Sequence, residues 1–196
     1  MNCSMASLQT VSIQWREEYI MDFLIVVDMQ NDFVDGALGT KEAEAIVPAV
    51  AETIRNWNGP VICTRDTHQK FYLHTQEGEH LPVIHCVEGT EGWELNPVIA
   101  EAADVPDTVM ELNKPSFGSL ELPKCIQLLE DDEDPISSIT LVGLCTDICV
   151  ISNAMILKAA FPETPIRVLE KCCAGVTPEQ HRNALNAMKV CQIEVE

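Results

Sequence analysis

The sequence predicts an α/β fold in which a mostly parallel, doubly wound sheet of about six strands is covered by helices on both faces. Three observations support this prediction. Short apolar runs alternate with longer helical patterns along the chain. The runs are apolar at successive positions, which is typical of parallel strands buried on both faces. The length of 196 residues fits one ordinary domain.

Six apolar runs are the predicted strands, and four amphipathic segments are the predicted helices. The strands are expected at 23–27, 61–63, 109–112, 139–142, 166–169 and 192–195. The helices are expected near 41–57, 119–130, 149–160 and 178–189. Ligands of such sheets bind beyond the carboxyl ends of the strands, so we expect functional side chains directly after strands.

Composition excludes two classes of partner and suggests a compartment. Lys and Arg number 12 against 31 Asp and Glu, and the net charge of -19 would repel nucleic acid. No apolar stretch approaches the roughly 20 residues that cross a membrane as a helix. The nine cysteines are odd in number and scattered, which favours a reducing cytoplasm over a disulfide framework.

The first 20 residues are interpreted as an extension, and the domain is expected at 21–196. They lack the charged-then-apolar layout of a signal peptide. One interpretation is that translation starts at Met21. The alternative is a terminal helix that carries Ile13, Trp15 and Ile20.

Histidine placement predicts a metal site. Four of the five histidines, His68, His74, His80 and His85, lie in one segment after the second predicted strand. In an extended segment the side chains of Asp66 and His68 point the same way. Imidazole and carboxylate suit zinc, iron or manganese, so we expect one divalent ion held by Asp66, His68, His85 and His74. His80 is expected to be exposed to solvent and not to bind the metal. The alternative is a polar loop of solvated histidines.

A cysteine nucleophile is predicted where the fourth strand turns into a helix. Cys149 would lie in the first helical turn, where free N–H groups favour a thiolate and can hold an oxyanion. In the doubly wound order Asp28, at the end of the first strand, lies beside the fourth strand and can accept a proton. Lys114 follows the third strand, and its ammonium would stabilise the thiolate. The alternatives are a small core cysteine and a solvated lysine.

Four features in this order resemble the isochorismatase-like cysteine hydrolases over residues 22–196. They are segment 27–33 (VDMQNDF), the Asp66, His68, His74 and His85 set, Lys114, and segment 143–150 (GLCTDICV). The metal-ligand set resembles the nicotinamidase and pyrazinamidase branch.

The resemblance implies a three-layer α/β/α sandwich with an Asp28, Lys114 and Cys149 triad. It also implies a cis peptide bond between Leu144 and Cys145, and an oxyanion hole formed by the amides of Cys145 and Cys149. The resemblance further implies a homodimer or a homotetramer, the usual assemblies of the family. The implied reaction is metal-assisted hydrolysis of a small amide, with nicotinamide as the model substrate and a thioester as the intermediate.

The substrate pocket is where the sequence departs from the resemblance. Relatives usually carry a ring-stacking aromatic shortly before the last metal histidine, whereas here segment 81–84 (LPVI) precedes His85. Phe33, Leu144 and Trp93 are the candidate substrate contacts, with Phe117 as an alternative wall. Another small amide or a carbamoyl compound therefore stays open as the substrate.

Two further alternatives concern the class of protein. One is a catalytically silent homologue that acts as a binding or assembly subunit, which the intact triad argues against. The other is a thiol-based redox protein, for which no C-x-x-C spacing is present.

Overall fold

The computed structural model describes residues 21–104, 109–129 and 136–196. The expectations for residues 1–20 lie outside this part of the chain. Within it, no helix combines the length and the apolar character needed to cross a membrane.

Six parallel strands form one sheet in the order β3-β2-β1-β4-β5-β6. This is the doubly wound arrangement in which the strand order reverses between β1 and β4, and it confirms the predicted sheet. β1 pairs in parallel with β2 on one side and with β4 on the other, where the register shifts by one residue between Met21 and Asp22 and is regular from there to Val27. The strands are β1 Met21–Val27, β2 Val61–Asp66, β3 Val109–Lys114, β4 Ile136–Leu144, β5 Ile166–Ala174 and β6 Glu194–Val195.

The helices cover both faces of the sheet. The four predicted helices are present at Lys41–Asn56, Leu122–Leu129, Ile151–Ala160 and Pro178–Val190, and three short helices at Asn31–Val34, Gln76–His80 and Pro97–Ala103 were not predicted. A π-helical turn, Thr146–Val150, precedes α6, and 3-10 turns lie at Tyr72–His74 and Glu91–Trp93. The helices are α1 Asn31–Val34, α2 Lys41–Asn56, α3 Gln76–His80, α4 Pro97–Ala103, α5 Leu122–Leu129, α6 Ile151–Ala160 and α7 Pro178–Val190.

The two faces of the sheet carry separate hydrophobic cores. Alternate residues of a strand point to opposite faces, so Leu24 and Val26 of β1 pack with α2 and α4. Phe23, Ile25 and Val27 pack with α5, α6 and α7 on the other face. These five side chains are fully buried. A sheet buried in this way on both faces is the middle layer of the expected α/β/α sandwich.

Gly143 allows the ends of β1 and β4 to approach closely. It pairs with Val27 and has a φ of 112°, a conformation that side chains rarely adopt. A Cβ at this position would collide with the carbonyl oxygen of Val27. Glycine therefore lets the residues that follow these two strands share one site.

Candidate active site

Three polar side chains that follow three different strands meet at the carboxyl edge of the sheet. Asp28 follows β1, Lys114 ends β3, and Cys149 lies in the turn after β4. Lys114 Nζ is 2.7 Å from Asp28 Oδ2 and donates to Cys149 Sγ at 3.4 Å. The lysine side chain is fully buried and crosses the end of β2 to reach both partners. The structure thus brings the predicted triad together.

The backbone and one oxygen of Asp28 are held in place while the other oxygen faces the site. Its N–H donates to the Thr64 carbonyl (3.1 Å), and Thr64 Oγ1 donates to Asp28 Oδ1 (2.7 Å). Its φ of 49° is uncommon for a residue other than glycine, and such conformations occur often at functional sites. Oδ2 lies 2.7 Å from Lys114 Nζ and has no other described donor, so it keeps a lone pair with which to accept a proton.

The electrostatics of the site favour a neutral thiol beside a charged ammonium. Burial raises the pKa of Cys149 well above its ordinary value, Asp28 raises it further, and Lys114 opposes them. Burial lowers the pKa of Lys114, but Asp28, Cys149 and Asp66 outweigh it and raise the pKa overall. Lys114 lowers the pKa of Cys149, as predicted from the sequence, but the net shift of that pKa is upward. The thiol proton must therefore be removed during the attack.

Asp28 is suited to take that proton. Burial raises the pKa of its carboxyl group above the usual 3.8, although the nearby Lys114 opposes the rise. A carboxylate with a raised pKa is a better base, and Lys114 keeps it ionised. The arrangement can therefore couple deprotonation of Cys149 to its attack on an electrophile.

The turn after β4 contains Cys145 and Cys149, whose amides are the predicted oxyanion hole. The Leu144–Cys145 peptide bond is cis, as the family resemblance implied. The Cys145 carbonyl accepts hydrogen bonds from the amides of Ile148 (3.0 Å) and Val150 (3.1 Å), which closes the π-helical turn. Cys145 and Cys149 both line the same cavity.

Four side chains next to the triad form a candidate metal site. Asp66, His68, Glu77 and His85 each offer one ligand atom, and these atoms lie within 4.8 Å of one another. Asp66 Oδ2 is 2.9 Å from His68 Nε2 and 3.6 Å from His85 Nε2. Glu77 Oε1 is 3.5 Å from His68 Nε2 and 3.9 Å from His85 Nε2. Tetrahedral ligands with metal bonds of about 2.1 Å are about 3.4 Å apart, so the spacing fits a divalent ion.

Hydrogen bonding and charge in this group also fit a cation. His85 Nδ1 lies 2.8 Å from the Val83 carbonyl, which can only accept, so His85 Nε2 presents its lone pair to the site. His68 Nε2 is buried without an aligned partner among the described residues. Burial lowers the pKa of His68, but Asp66 and Glu77 outweigh it and raise the pKa to about 9. The two carboxylates thus favour positive charge at this point.

One cavity of about 300 Å³ connects the triad with the metal-ligand group. Its lining includes Asp66, Glu77 and His85 of the metal-ligand group together with Cys145 and Cys149. The remaining walls are largely apolar and include Phe33, Leu38, Leu81, Phe117, Leu144 and Val176.

Comparison with known proteins decides the family. A model of the family described as "Isochorismatase domain" matches residues 22–196. The chain belongs to the isochorismatase family. It is 27% identical to the nicotinamidase/pyrazinamidase of Mycobacterium tuberculosis, over 89% of this chain and 98% of that protein. It is 24% identical to the nicotinamidase of Schizosaccharomyces pombe, over 88% of this chain and 91% of that protein.

Solved structures of other proteins share the fold. The pyrazinamidase of Pyrococcus horikoshii in complex with zinc aligns with a TM-score of 0.75 and 26% identity, covering 89% of this chain and 98% of that one. The N-carbamoylsarcosine amidase of Thermoplasma acidophilum aligns with a TM-score of 0.71 and 26% identity, covering 90% of this chain and 96% of that one.

The structure corrects one predicted metal ligand of this isochorismatase-family protein. His74 is exposed and lies outside the ligand group, and Glu77 takes the place assigned to it. The reason is local: Thr75 Oγ1 accepts from the Gly78 amide (3.0 Å) and begins α3, whose first turn carries Glu77 into the site. His80 is exposed, as predicted.

Trp93 is the second correction, because it does not line the cavity. The Trp93 indole N–H donates to Thr67 Oγ1 (2.9 Å), and the Arg65 guanidinium covers its ring at 4.0 Å. The other two candidate substrate contacts, Phe33 and Leu144, line the cavity as expected. Phe117, the alternative to Trp93, lines it as well.

Two residues that hold the metal-ligand segments were missed by the sequence reasoning. The buried side chain of Gln30 accepts from the Asp66 amide (2.7 Å) and donates to the carbonyls of Asp66 and Trp93, both at 2.8 Å. Asp32 Oδ2 accepts from the amide of Cys86, the residue after His85 (2.8 Å). Both residues lie in the 27–33 motif, which was the only available signal.

Proposed function

We propose that this isochorismatase-family protein is an amidohydrolase that converts nicotinamide, or a closely related amide, to its carboxylate and ammonia. The observation that carries the proposal is the joint placement of a Cys149, Asp28 and Lys114 group and a four-residue metal-ligand group around one cavity. The nicotinamidase and pyrazinamidase relatives support it.

The first half of the reaction forms a thioester. Asp28 Oδ2 takes the proton of the Cys149 thiol while the sulfur attacks the carboxamide carbon. The amides of Cys145 and Cys149 donate to the oxyanion. Asp28 then returns the proton to the nitrogen, the C–N bond breaks, and ammonia leaves.

The second half releases the acid. Asp28 takes a proton from a water molecule, which attacks the thioester carbon, and the C–S bond breaks. The proton on Asp28 returns to the sulfur, so Cys149 is again a thiol and the product is a carboxylic acid that ionises. Lys114 stays charged throughout and keeps Asp28 ionised at the start of each half of the reaction, when Asp28 acts as a base.

The donor set of Asp66, His68, Glu77 and His85 would hold one divalent ion, for which zinc, iron and manganese are all chemically suitable. Bound there, such an ion would supply a Lewis-acid contact for a ring nitrogen of the substrate. The zinc complex of the Pyrococcus horikoshii pyrazinamidase supports this assignment.

The charges around the cavity favour a neutral substrate. Among the described residues, the side chains that line it include Asp66 and Glu77 but no lysine or arginine. Apart from the divalent ion that these two carboxylates would help to hold, a carboxylate substrate would find no cationic group on the cavity wall, whereas a carboxamide needs none.

The second candidate substrate class is a small aliphatic amide or carbamoyl compound. Leu81 lines the cavity in the segment where an aromatic was expected, and the other described walls include Leu38 and Val176. The N-carbamoylsarcosine amidase of Thermoplasma acidophilum is a structural relative of that class. A silent homologue is disfavoured because all three groups of the triad are in contact distance.

Compartment and assembly remain predictions. The eight cysteines that the structure describes are all free, which supports a reducing cytoplasm. A homodimer or homotetramer is expected from the family resemblance.

An ammonia-release screen tests the proposal. Purified protein is assayed with nicotinamide, pyrazinamide, N-carbamoylsarcosine and propionamide, and Cys149→Ala serves as the control for contaminating amidases. Turnover of the two aromatic amides above the others supports the nicotinamidase assignment, and a preference for the carbamoyl compound or propionamide supports the second candidate. Absence of ammonia from every substrate contradicts both.

A further inference from the structure

Asn153 is a fully buried polar residue of α6 that takes no part in the proposed reaction. Its side chain makes three hydrogen bonds. Nδ2 donates to the carbonyls of Cys149 (2.9 Å) and Phe117 (3.3 Å), and Oδ1 accepts from the amide of Ser119 (3.0 Å). One carboxamide group thus satisfies two acceptors and one donor that come from two separate segments of the chain.

These bonds join two walls of the cavity, one of which carries the nucleophile. One wall is the turn that contains Cys149, and the other is the loop of residues 115–119, which presents Phe117 to the cavity. The same loop is held on its other side by Lys114, whose Nζ donates to the Ser116 carbonyl (3.1 Å). The loop is therefore tied both to the ammonium of the triad and to the helix of the nucleophile.

Backbone hydrogen bonds are what fix the Phe117 wall. The Phe117 side chain is 46% exposed, so packing around the ring holds it less firmly than it would hold a buried ring. Asn153 holds the carbonyl of Phe117 itself and the amide two residues later. Without these two contacts, the described loop keeps the bond from Lys114 to Ser116 and the bond from Ser116 Oγ to the Gly118 carbonyl (3.0 Å). At its end, Ser119 also keeps the bonds that it accepts from the amides of Glu121 (3.2 Å) and Leu122 (3.4 Å).

We propose that Asn153 is a positioning residue that sets the distance between the Phe117 wall and Cys149, and thereby the fit of the acyl part of the substrate. The inference rests on the proposed amidohydrolase function for its kinetic test. Few other side chains meet the requirement, because one planar group must supply two donors and one acceptor. Aspartate has no donor when ionised and would place an oxygen against two carbonyl oxygens.

Asn153→Thr separates the two roles of the side chain. A threonine hydroxyl can still donate to the carbonyl four residues earlier in a helix, which is that of Cys149, but it is too short to bridge to the loop. The nucleophile turn keeps its contact and the loop loses both of its own. Ser152→Ala is the matched control, because the one hydrogen bond of Ser152 Oγ within the described part of the chain goes to the Ile148 carbonyl of its own turn (2.6 Å).

The experiment measures KM and kcat for the best amide of the screen, together with amide hydrogen exchange of residues 115–119 in substrate-free protein. We expect Asn153→Thr to raise KM by about tenfold, the equivalent of one lost buried hydrogen bond, with a smaller change in kcat. Exchange in the loop should become faster than in wild type and in Ser152→Ala. Asn153→Asp should show the same direction with a larger effect.

Three results would overturn the proposal. The first is wild-type KM and loop exchange in folded Asn153→Thr. The second is a lower melting temperature with unchanged KM, which would make Asn153 only a structural residue. The third is equal loop exchange in Asn153→Thr and Ser152→Ala. This result decides alone if wild-type protein releases no ammonia from any amide and the proposed function fails. Faster exchange in Asn153→Thr would then still show that Asn153 holds the loop.

Discussion

Replacing Asp28 by asparagine should separate the reactivity of Cys149 from turnover. Asparagine tolerates the positive φ of 49° at this position, and its side-chain oxygen can still accept from Thr64 Oγ1. The oxygen that faces Lys114 at 2.7 Å is replaced by the NH2 group of the asparagine side chain, which cannot accept a proton. The fold is kept, and the base is lost.

The distances in the site give the expected magnitudes. Lys114 Nζ lies 3.4 Å from Cys149 Sγ, and at an effective dielectric of about 20 an ion pair at this distance is worth about 5 kcal/mol. In the wild type the Asp28 carboxylate offsets this attraction and raises the pKa of the thiol. If only about 1.4 kcal/mol of the attraction is recovered in Asp28→Asn, the thiolate population rises about tenfold. Turnover should meanwhile fall by about 10²–10⁴, the usual contribution of a general base.

The assay compares iodoacetamide alkylation of Cys149 near neutral pH with ammonia release from nicotinamide. Asp22→Asn is the control, because Asp22 lies at the opposite end of β1 and accepts from Ser138 there. The control should leave both rates unchanged. If alkylation slows in parallel with turnover in Asp28→Asn, loss of the base outweighs any gain in thiolate and the expected separation is refuted, and if turnover stays near normal, another group is the base.

Further variants test the remaining parts of the site. Cys149→Ala should abolish turnover in a folded protein, while Cys145→Ala should be much milder because only its backbone amide is used; equal losses would leave the nucleophile unassigned. Lys114→Met should move the pH profile of Cys149 alkylation upward, because the ammonium that lowers the pKa of the thiol is gone, and an unmoved profile would make Lys114 a bystander. Gln30→Ala should weaken metal binding by about 10–100-fold in a chelator competition, because it frees the backbone of Asp66; unchanged affinity would limit Gln30 to a structural role. Removing metal with a chelator should raise KM for pyridine amides and spare alkylation, whereas normal turnover of nicotinamide by metal-free protein would contradict the metal assignment.

The sequence predicted the fold and the meeting of the triad because both follow from strand order. Alternation of apolar strands and helices predicts a doubly wound sheet, and in that order the ends of β1 and β4 are neighbours. Asp28 and Cys149 therefore had to converge. Lys114 was assigned through its position after a strand and through the family resemblance, since its reach across the end of β2 depends on side-chain conformation.

The metal ligands and the pocket were harder because spacing does not determine which way a loop residue faces. His74 has the right chemistry, but the capping of α3 by Thr75 brings Glu77 into the site instead. Trp93 was a reasonable candidate for a cavity wall, but its indole N–H donates to Thr67 and its ring is covered by Arg65. The raised pKa of Cys149 depends on burial, which the position of a cysteine at a helix start does not reveal.

Trapping of the acyl-enzyme tests the central claim most directly. Protein mixed with a large excess of nicotinamide, quenched in acid within the first turnovers and analysed by peptide mass spectrometry should carry a nicotinoyl group on the peptide that contains Cys149. The modification should be absent in Cys149→Ala and removable by hydroxylamine, as expected of a thioester. Ammonia release without any acylated peptide, or acylation at another residue, would contradict the proposed role of Cys149.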